Sequence, residues 1–181
     1  MRILLLSLVL ALVAAVPASA HVLGARVLGR GDHGWDVVTL QRVLRMDGFS
    51  AGAADGWFGR RTLRAVKRFQ RARGLAVDGR VGPMTTHELA HRWNLWTASW
   101  YGPGLWGNKT ACGQVLRRRT RAVAHRTLPC GTRVAVYANG RIAIFPVIDR
   151  GPHTSGVSLD LTKAAAARLR VHHTTSVRAG W

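Results

Sequence analysis

The chain has 181 residues, enough for two small domains at most, and 48% of them are hydrophobic. That proportion builds a core and excludes a disordered tail protein. Charge is lopsided, with 27 Lys+Arg against 8 Asp+Glu for a net +19, and only three of the basic residues are Lys. So positive a field calls for anionic partners, whether nucleic acid, acidic lipid or an acidic polymer outside the cell. Two Cys exclude a disulfide-dense scaffold and a four-Cys zinc site.

Met1–Arg2 gives a short positive start, Ile3 to Val16 is apolar apart from Ser7, and Ala18-Ser19-Ala20 has the small-residue cleavage pattern. This reads as a secretory signal peptide cut after Ala20. The apolar run is about 14 residues, short of the roughly 20 that span a bilayer, so no stable membrane span is expected. Without Cys at the junction, no lipid attachment is expected either. Export makes nucleic acid an unfavoured physiological partner. It also permits a disulfide between Cys112 and Cys130, the alternative being two buried free thiols.

Between residues 21 and 96 the pattern is helical. Val37, Leu40, Val43 and Leu44 share one face of a helix from Asp36 to Met46. Leu63, Val66 and Phe69 continue helical spacing up to Gly74, and Pro83 suits the first turn of a third helix. An internal echo, D-G-x-apolar-G-x-x-T, starts at Asp55 and again at Asp78. Asp-Gly favours a tight turn, and each copy precedes a helix.

From residue 97 onward the pattern is strand-like. Arg133–Ala138, Asn139-Gly140 and Arg141–Phe145 form the clearest hairpin, with Asn-Gly favouring a type I′ turn. Pro146 suggests an edge or a bend. Thr162 caps a short helix, Lys163 to Leu169. Many short strands with one helix suggest a small barrel.

Acids are scarce here. Beyond residue 96 only Asp149 and Asp160 stand among 13 basic residues. Glycosidic chemistry by carboxylates would have to use one or both. Arg150 follows Asp149, and strand alternation would turn the two side chains to opposite faces. The bland alternative for each Asp is a turn carboxylate or an ion pair with one of the many arginines. His172-His173 have no carboxylate at ligand spacing and read as surface. The arginine run Arg117–Arg119, with Arg121, reads as a solvated loop that would hold anionic wall polymers in a salt-sensitive way. No metal site, no cofactor and no serine or cysteine nucleophile motif is expected.

Two resemblances add to this reading. Gly31-Asp32-His33-Gly34-Trp35-Asp36-Val37-Val38-Thr39-Leu40-Gln41, the two D-G copies, and Ala65-Val66-Lys67-Arg68-Phe69-Gln70 resemble the peptidoglycan-binding type 1 domain over about 60 residues. The resemblance implies non-catalytic binding to cell-wall peptide or glycan. Ala98-Ser99-Trp100-Tyr101-Gly102, Thr110-Ala111-Cys112-Gly113, Ala124–Thr132, Asn139-Gly140, Asp149-Arg150-Gly151-Pro152 and Asp160-Leu161-Thr162 resemble the RlpA-like double-psi β-barrel. Members of that family are lytic transglycosylases of peptidoglycan or inactive relatives, and expansins share the barrel.

The expectation is therefore a multidomain α + β chain. Residues 1–20 are a signal peptide, 21–96 a three-helix peptidoglycan-binding domain, and 97–181 a six-stranded double-psi β-barrel. The resemblance implies catalytic roles for Asp149, Asp160 and His125, with His125 hydrogen-bonded to an Asp or to the sugar. Tyr101, Trp106, Thr110 and Arg150 are expected to bind substrate. Cys at positions 112 and 130, where the family often has other residues, accords with a disulfide. The expected protein is a secreted monomer that cleaves MurNAc–GlcNAc bonds to 1,6-anhydro ends. The competing readings are a non-catalytic or expansin-like wall-loosening protein and, less favoured, a basic nucleic-acid binder.

Overall fold

The computed structural model describes residues 22–181; the expected signal peptide lies outside them. Three helices come first: α1 (Trp35–Met46), α2 (Arg60–Ala72) and α3 (Pro83–His91). Their inward faces carry Val37, Leu40, Val43, Leu44, Ala65, Val66, Phe69, Leu89 and Ala90, with Phe58 and Val81 between helices. These recur at three- and four-residue steps, so each helix buries one stripe.

The sequence echo is a structural repeat read by two buried glutamines. Gln41 Nε2 donates to Asp55 Oδ1 (2.8 Å), the Trp57 carbonyl and Thr62 Oγ1, while Gln41 Oε1 accepts from the Gly56 N–H. Gln70 repeats the set on Asp78 (2.8 Å), the Arg80 carbonyl, Thr85 and Gly79. Each D-G turn is thus closed from below by one amide that uses its donors and its acceptor together. Phe58 and Val81, at equivalent places, each bond an N-terminal strand-like segment: Phe58 through Gly31 and Asp32, Val81 through Leu28.

Six strands follow: β1 (Asn94–Tyr101), β2 (Val123–Ala124), β3 (Arg133–Ala138), β4 (Arg141–Asp149), β5 (Leu159–Thr162) and β6 (Thr175–Gly180), with α4 (Lys163–Leu169) between the last two. They close a barrel in the order β1-β5-β2-β4-β3-β6. The β1–β5 and β2–β4 pairs are parallel and the other four antiparallel. Val123, Val134, Val136, Phe145, Val147, Leu159, Leu161 and Val177 fill the interior, and α4 adds Ala165, Ala166 and Leu169. The β3–β4 turn has positive φ at both Asn139 (49°) and Gly140 (73°), as a type I′ turn requires. Thr162 caps α4 by accepting from the Ala165 N–H.

Of the two expectations for Pro146, the edge is not met. The residue lies inside β4 and, the barrel being closed, at no edge. Residues 141–146 of β4 pair with β3, and 147–149 pair with β2. The proline sits where β4 passes from one partner to the other.

The two domains share a core. Ile142 of β4 belongs to the helical domain's apolar cluster, with Tyr137 and Ile144 packed against it. Leu23 and Ile142 exchange both backbone hydrogen bonds (3.1 and 2.9 Å). Gly24 is required there: a Cβ would lie 2.1 Å from the Gly140 carbonyl oxygen. Arg178 adds bonds to the carbonyls of His91 and Trp93. No helix of the described residues is long and apolar enough to cross a membrane.

Candidate active site

Both barrel acids lie on one row. Ser99, Asp160, Ala124 and Asp149 are successive Cα partners across β1, β5, β2 and β4. Neighbouring strands lie about 4.8 Å apart, so the aspartates, two strands apart, are about 10 Å apart at Cα. Asp160, between the buried Leu159 and Leu161, faces away from the barrel interior by simple alternation. Asp149 shares parity with Val147, which faces inward, and alternation alone would bury it. A register shift prevents this: Val123 pairs with Val147 but Ala124 pairs with Asp149, leaving Ile148 as an extra residue. The bulge returns Asp149 to the face that carries Asp160.

Each carboxylate is held. The Ser99 hydroxyl donates a short hydrogen bond to Asp160 Oδ1. Asp149 Oδ1 accepts from the backbone N–H groups of Ala111 and Arg150, both at 2.9 Å. Tyr101, two residues beyond Ser99 on β1, feels the charge of both acids. Its pKa is pushed well up, first by burial and then by the charges of Asp149 and Asp160. The hydroxyl leans on Asp149, yet the pair falls outside ordinary hydrogen-bond geometry, so this buried group has no proper partner among the described residues.

The 102–122 loop covers this face. Leu116, Ala122 and Ile148 form a small cluster on which Tyr101 and Trp106 pack. The Arg118 guanidinium stacks on Trp106 at 4.5 Å. Thr110 is buried with no partner for its hydroxyl among the described residues. The Cys112–Cys130 disulfide pins the loop to the segment after β2. Arg150 points away from Asp149: its guanidinium donates to the carbonyls of His125 and Leu128.

His125 is held by the turn that follows it. Its Nδ1 accepts from the backbone N–H groups of Thr127 (3.2 Å) and Leu128 (3.1 Å), which fixes the neutral ring with its proton on Nε2. The ring packs edge-on against Trp96 and Trp181. No hydrogen bond joins it to either aspartate; only its backbone N–H reaches the Asp149 carbonyl. Burial, then Arg150 and Arg126, lower its pKa. His125 follows Ala124 directly, so alternation sends it to the opposite side from the aspartate row.

Asp149, Asp160 and Tyr101 therefore come together, with Trp106 and Thr110 in the covering loop. Arg150 and His125 form a second group behind them. Ser99 escaped the sequence reading as a site residue, although its two-residue spacing from Tyr101 on one strand was the available signal. The Ala111 N–H and the Trp96–Trp181 packing had no local signal. Among the described residues no group of three or more His, Cys, Asp or Glu is arranged to hold a metal.

Comparison with known proteins follows the same division. Residues 33–89 match the family model of a peptidoglycan binding domain, and residues 96–180 match the model described as lytic transglycolase. The Endolytic peptidoglycan transglycosylase RlpA of Yersinia pestis is 42% identical over 83 residues, covering 45% of this chain and 23% of that protein. The Probable endolytic peptidoglycan transglycosylase RlpA of Synechocystis sp. is 46% identical over 77 residues, 41% of this chain and 24% of that protein. The chain thus spans about a quarter of these relatives' length. Among solved structures, the SleB N-terminal domain is 42% identical over 36% of this chain and 90% of its own, with a TM-score of 0.36.

Proposed function

Given a peptidoglycan-binding domain at residues 33–89 and a barrel of the lytic transglycolase family at residues 96–180, we propose that this protein is exported, binds peptidoglycan through its helices and cleaves the glycan with its barrel. The bond broken is MurNAc–GlcNAc, and the product is a 1,6-anhydro end. An acid protonates the glycosidic oxygen, and a carboxylate then takes the proton of the MurNAc C6 hydroxyl as that oxygen attacks C1. No water is consumed, so the spacing that separates retaining from inverting hydrolases does not govern this reaction.

The observation that carries the proposal is the meeting of Asp149 and Asp160 on one face of a barrel otherwise rich in arginine. In this reading the two aspartates handle the protons. Ser99 orients Asp160, and the Ala111 and Arg150 N–H groups orient Asp149. Tyr101 stays protonated at any working pH, since burial and both acids raise its pKa; it offers its proton as a hydrogen bond to the sugar. His125 is a positioning residue that sets the turn whose carbonyls hold the Arg150 guanidinium. Trp106 offers a sugar platform beside the acids.

The test is digestion of purified peptidoglycan by the disulfide-intact protein, with products read by mass spectrometry. Anhydro-MurNAc ends establish the reaction. Reducing ends would mean hydrolysis and a different mechanism. Firm pelleting with the wall and no products would leave a binding or wall-loosening protein.

A further inference from the structure

A groove at the junction of the two domains lies away from the aspartate row. One cavity of about 450 Å³ is walled by Trp35 and Arg42 of α1, Arg121, Arg133 of β3 and Arg168 of α4, over a floor of Ile144, Phe145 and Pro146. A second, of about 360 Å³, continues it past the same Arg42, Arg133 and Ile144 to Trp181. No Asp or Glu lines either cavity. Arg42, Arg121 and Arg133 make no side-chain hydrogen bond or ion pair among the described residues; the ion pairs there belong to Arg26 and Arg73. Trp35 and Trp181, at the two ends, are 60% and 51% exposed. Burial and the nearby charge of Arg121 lower the pKa of Arg168, so these two cations repel each other.

Holding the unpaired guanidinium groups of Arg42, Arg121 and Arg133 along one groove is unfavourable unless an anion joins them. The arrangement is also long: two lobes share their arginines and end in flat apolar rings. We propose that this groove binds a linear phosphodiester-linked polymer of the cell envelope, with phosphates on Arg42, Arg121 and Arg133 and its carbon units against Trp35 and Trp181. A thin phosphodiester chain carries a permanent charge on every repeat of its backbone and can occupy both lobes at once. Carboxylates on the stem peptides of peptidoglycan are pendant groups and would meet one lobe only. Guanidinium pairs with phosphate oxygens in a planar, bidentate way.

The test titrates the purified protein with soluble poly(glycerol phosphate), following tryptophan fluorescence. A parallel assay pellets it with cell walls before and after hydrofluoric acid strips the phosphodiester polymers. Arg42→Gln/Arg133→Gln should weaken polymer binding by about tenfold or more. Arg60→Gln/Arg64→Gln on α2 removes the same charge elsewhere and should change it by less than about threefold. Arg42→Lys/Arg133→Lys, which keeps charge without the planar fork, should fall between. Arg121→Gln, in a loop, gives an independent variant should the double change unfold the protein, which thermal melting would reveal. Equal loss in the two glutamine pairs would reduce the effect to net charge and overturn the proposal. No binding of the polymer by the wild type would overturn it too, the pelleting on stripped walls giving the share of wall affinity that the helical domain supplies alone. The readout is binding alone, so an absence of anhydro products would sink the enzymatic reading and leave this one standing.

Discussion

Asp149 and Asp160 are both register partners of Ala124, one on each side of it. Only the small, buried side chain of Ala124 stands between them in the register. The proposed mechanism predicts that Asp149→Asn and Asp160→Asn each reduce release of anhydro ends by at least about 10²-fold, the usual scale for loss of a general acid or base. Wall pelleting should persist, since the helical domain is untouched. Quantifying products and pelleted protein from the same digestion checks both halves.

Tyr101→Phe separates packing from chemistry. The hydroxyl is buried without a proper partner, so its removal should leave stability within about 1 kcal/mol or raise it slightly. Turnover should fall about tenfold if the phenol hydrogen-bonds the sugar in the transition state. Unchanged product release with unchanged melting would confine Tyr101 to packing on Ile148.

Acid should destabilise the protein in two separate windows. His125 has its pKa lowered from 6.5 by burial and neighbouring arginines. The unfolded chain therefore takes up this proton first, and stability declines as pH falls below about 6.5. Asp55 and Asp78 have pKa values lowered from 3.8, chiefly by the Trp57 and Arg80 N–H groups and then by Gln41 and Gln70. Their contribution is intact above about pH 4 and is lost as pH falls further. Thermal melts from pH 8 to 3 should show both declines. His125→Gln should flatten the first, and Asp78→Asn part of the second.

Gln70→Leu should cost the helical domain about 2 kcal/mol or more, because the buried Gly79 N–H loses its acceptor while Asp78 loses a donor. Gln41→Leu should do the same at the other copy. Urea unfolding of each variant measures the loss, and wall pelleting shows whether the D-G turns take part in binding.

Replacing both Cys112 and Cys130 by Ala should lower stability by about 3 kcal/mol, the chain-entropy value for a loop of this length. The freed 102–122 loop carries the Ala111 N–H that orients Asp149, so turnover should drop even at temperatures where the variant is folded. Reduction of the wild type with dithiothreitol should reproduce both effects.

Local patterns in the sequence account for much of this molecule. The apolar stripe of α1, the Asn139-Gly140 turn and the Thr162 cap depend on neighbours a few residues away, and each stands where its pattern puts it. The two D-G turns were visible, but the glutamines that read them lie on preceding helices, beyond any local rule. The barrel acids were singled out by their scarcity. What aims Asp149 was not legible, because the extra residue at Ile148 exists only relative to β2, a partner 24 residues earlier and two residues long. The setting of His125 is not legible for the same reason: its Trp96 and Trp181 neighbours come from the barrel's first strand and the last residue of the chain.

The exchange of backbone bonds between Leu23 and Ile142, with Gly24 pressed on Gly140, leaves no slack tether between the two domains. If the helices grip one stretch of wall, the aspartates face another at a set offset and angle. Such a protein works like a gauge with a fixed jaw. Its cuts would fall at a repeatable interval from each point of attachment, and progress along a strand would require letting go and gripping again.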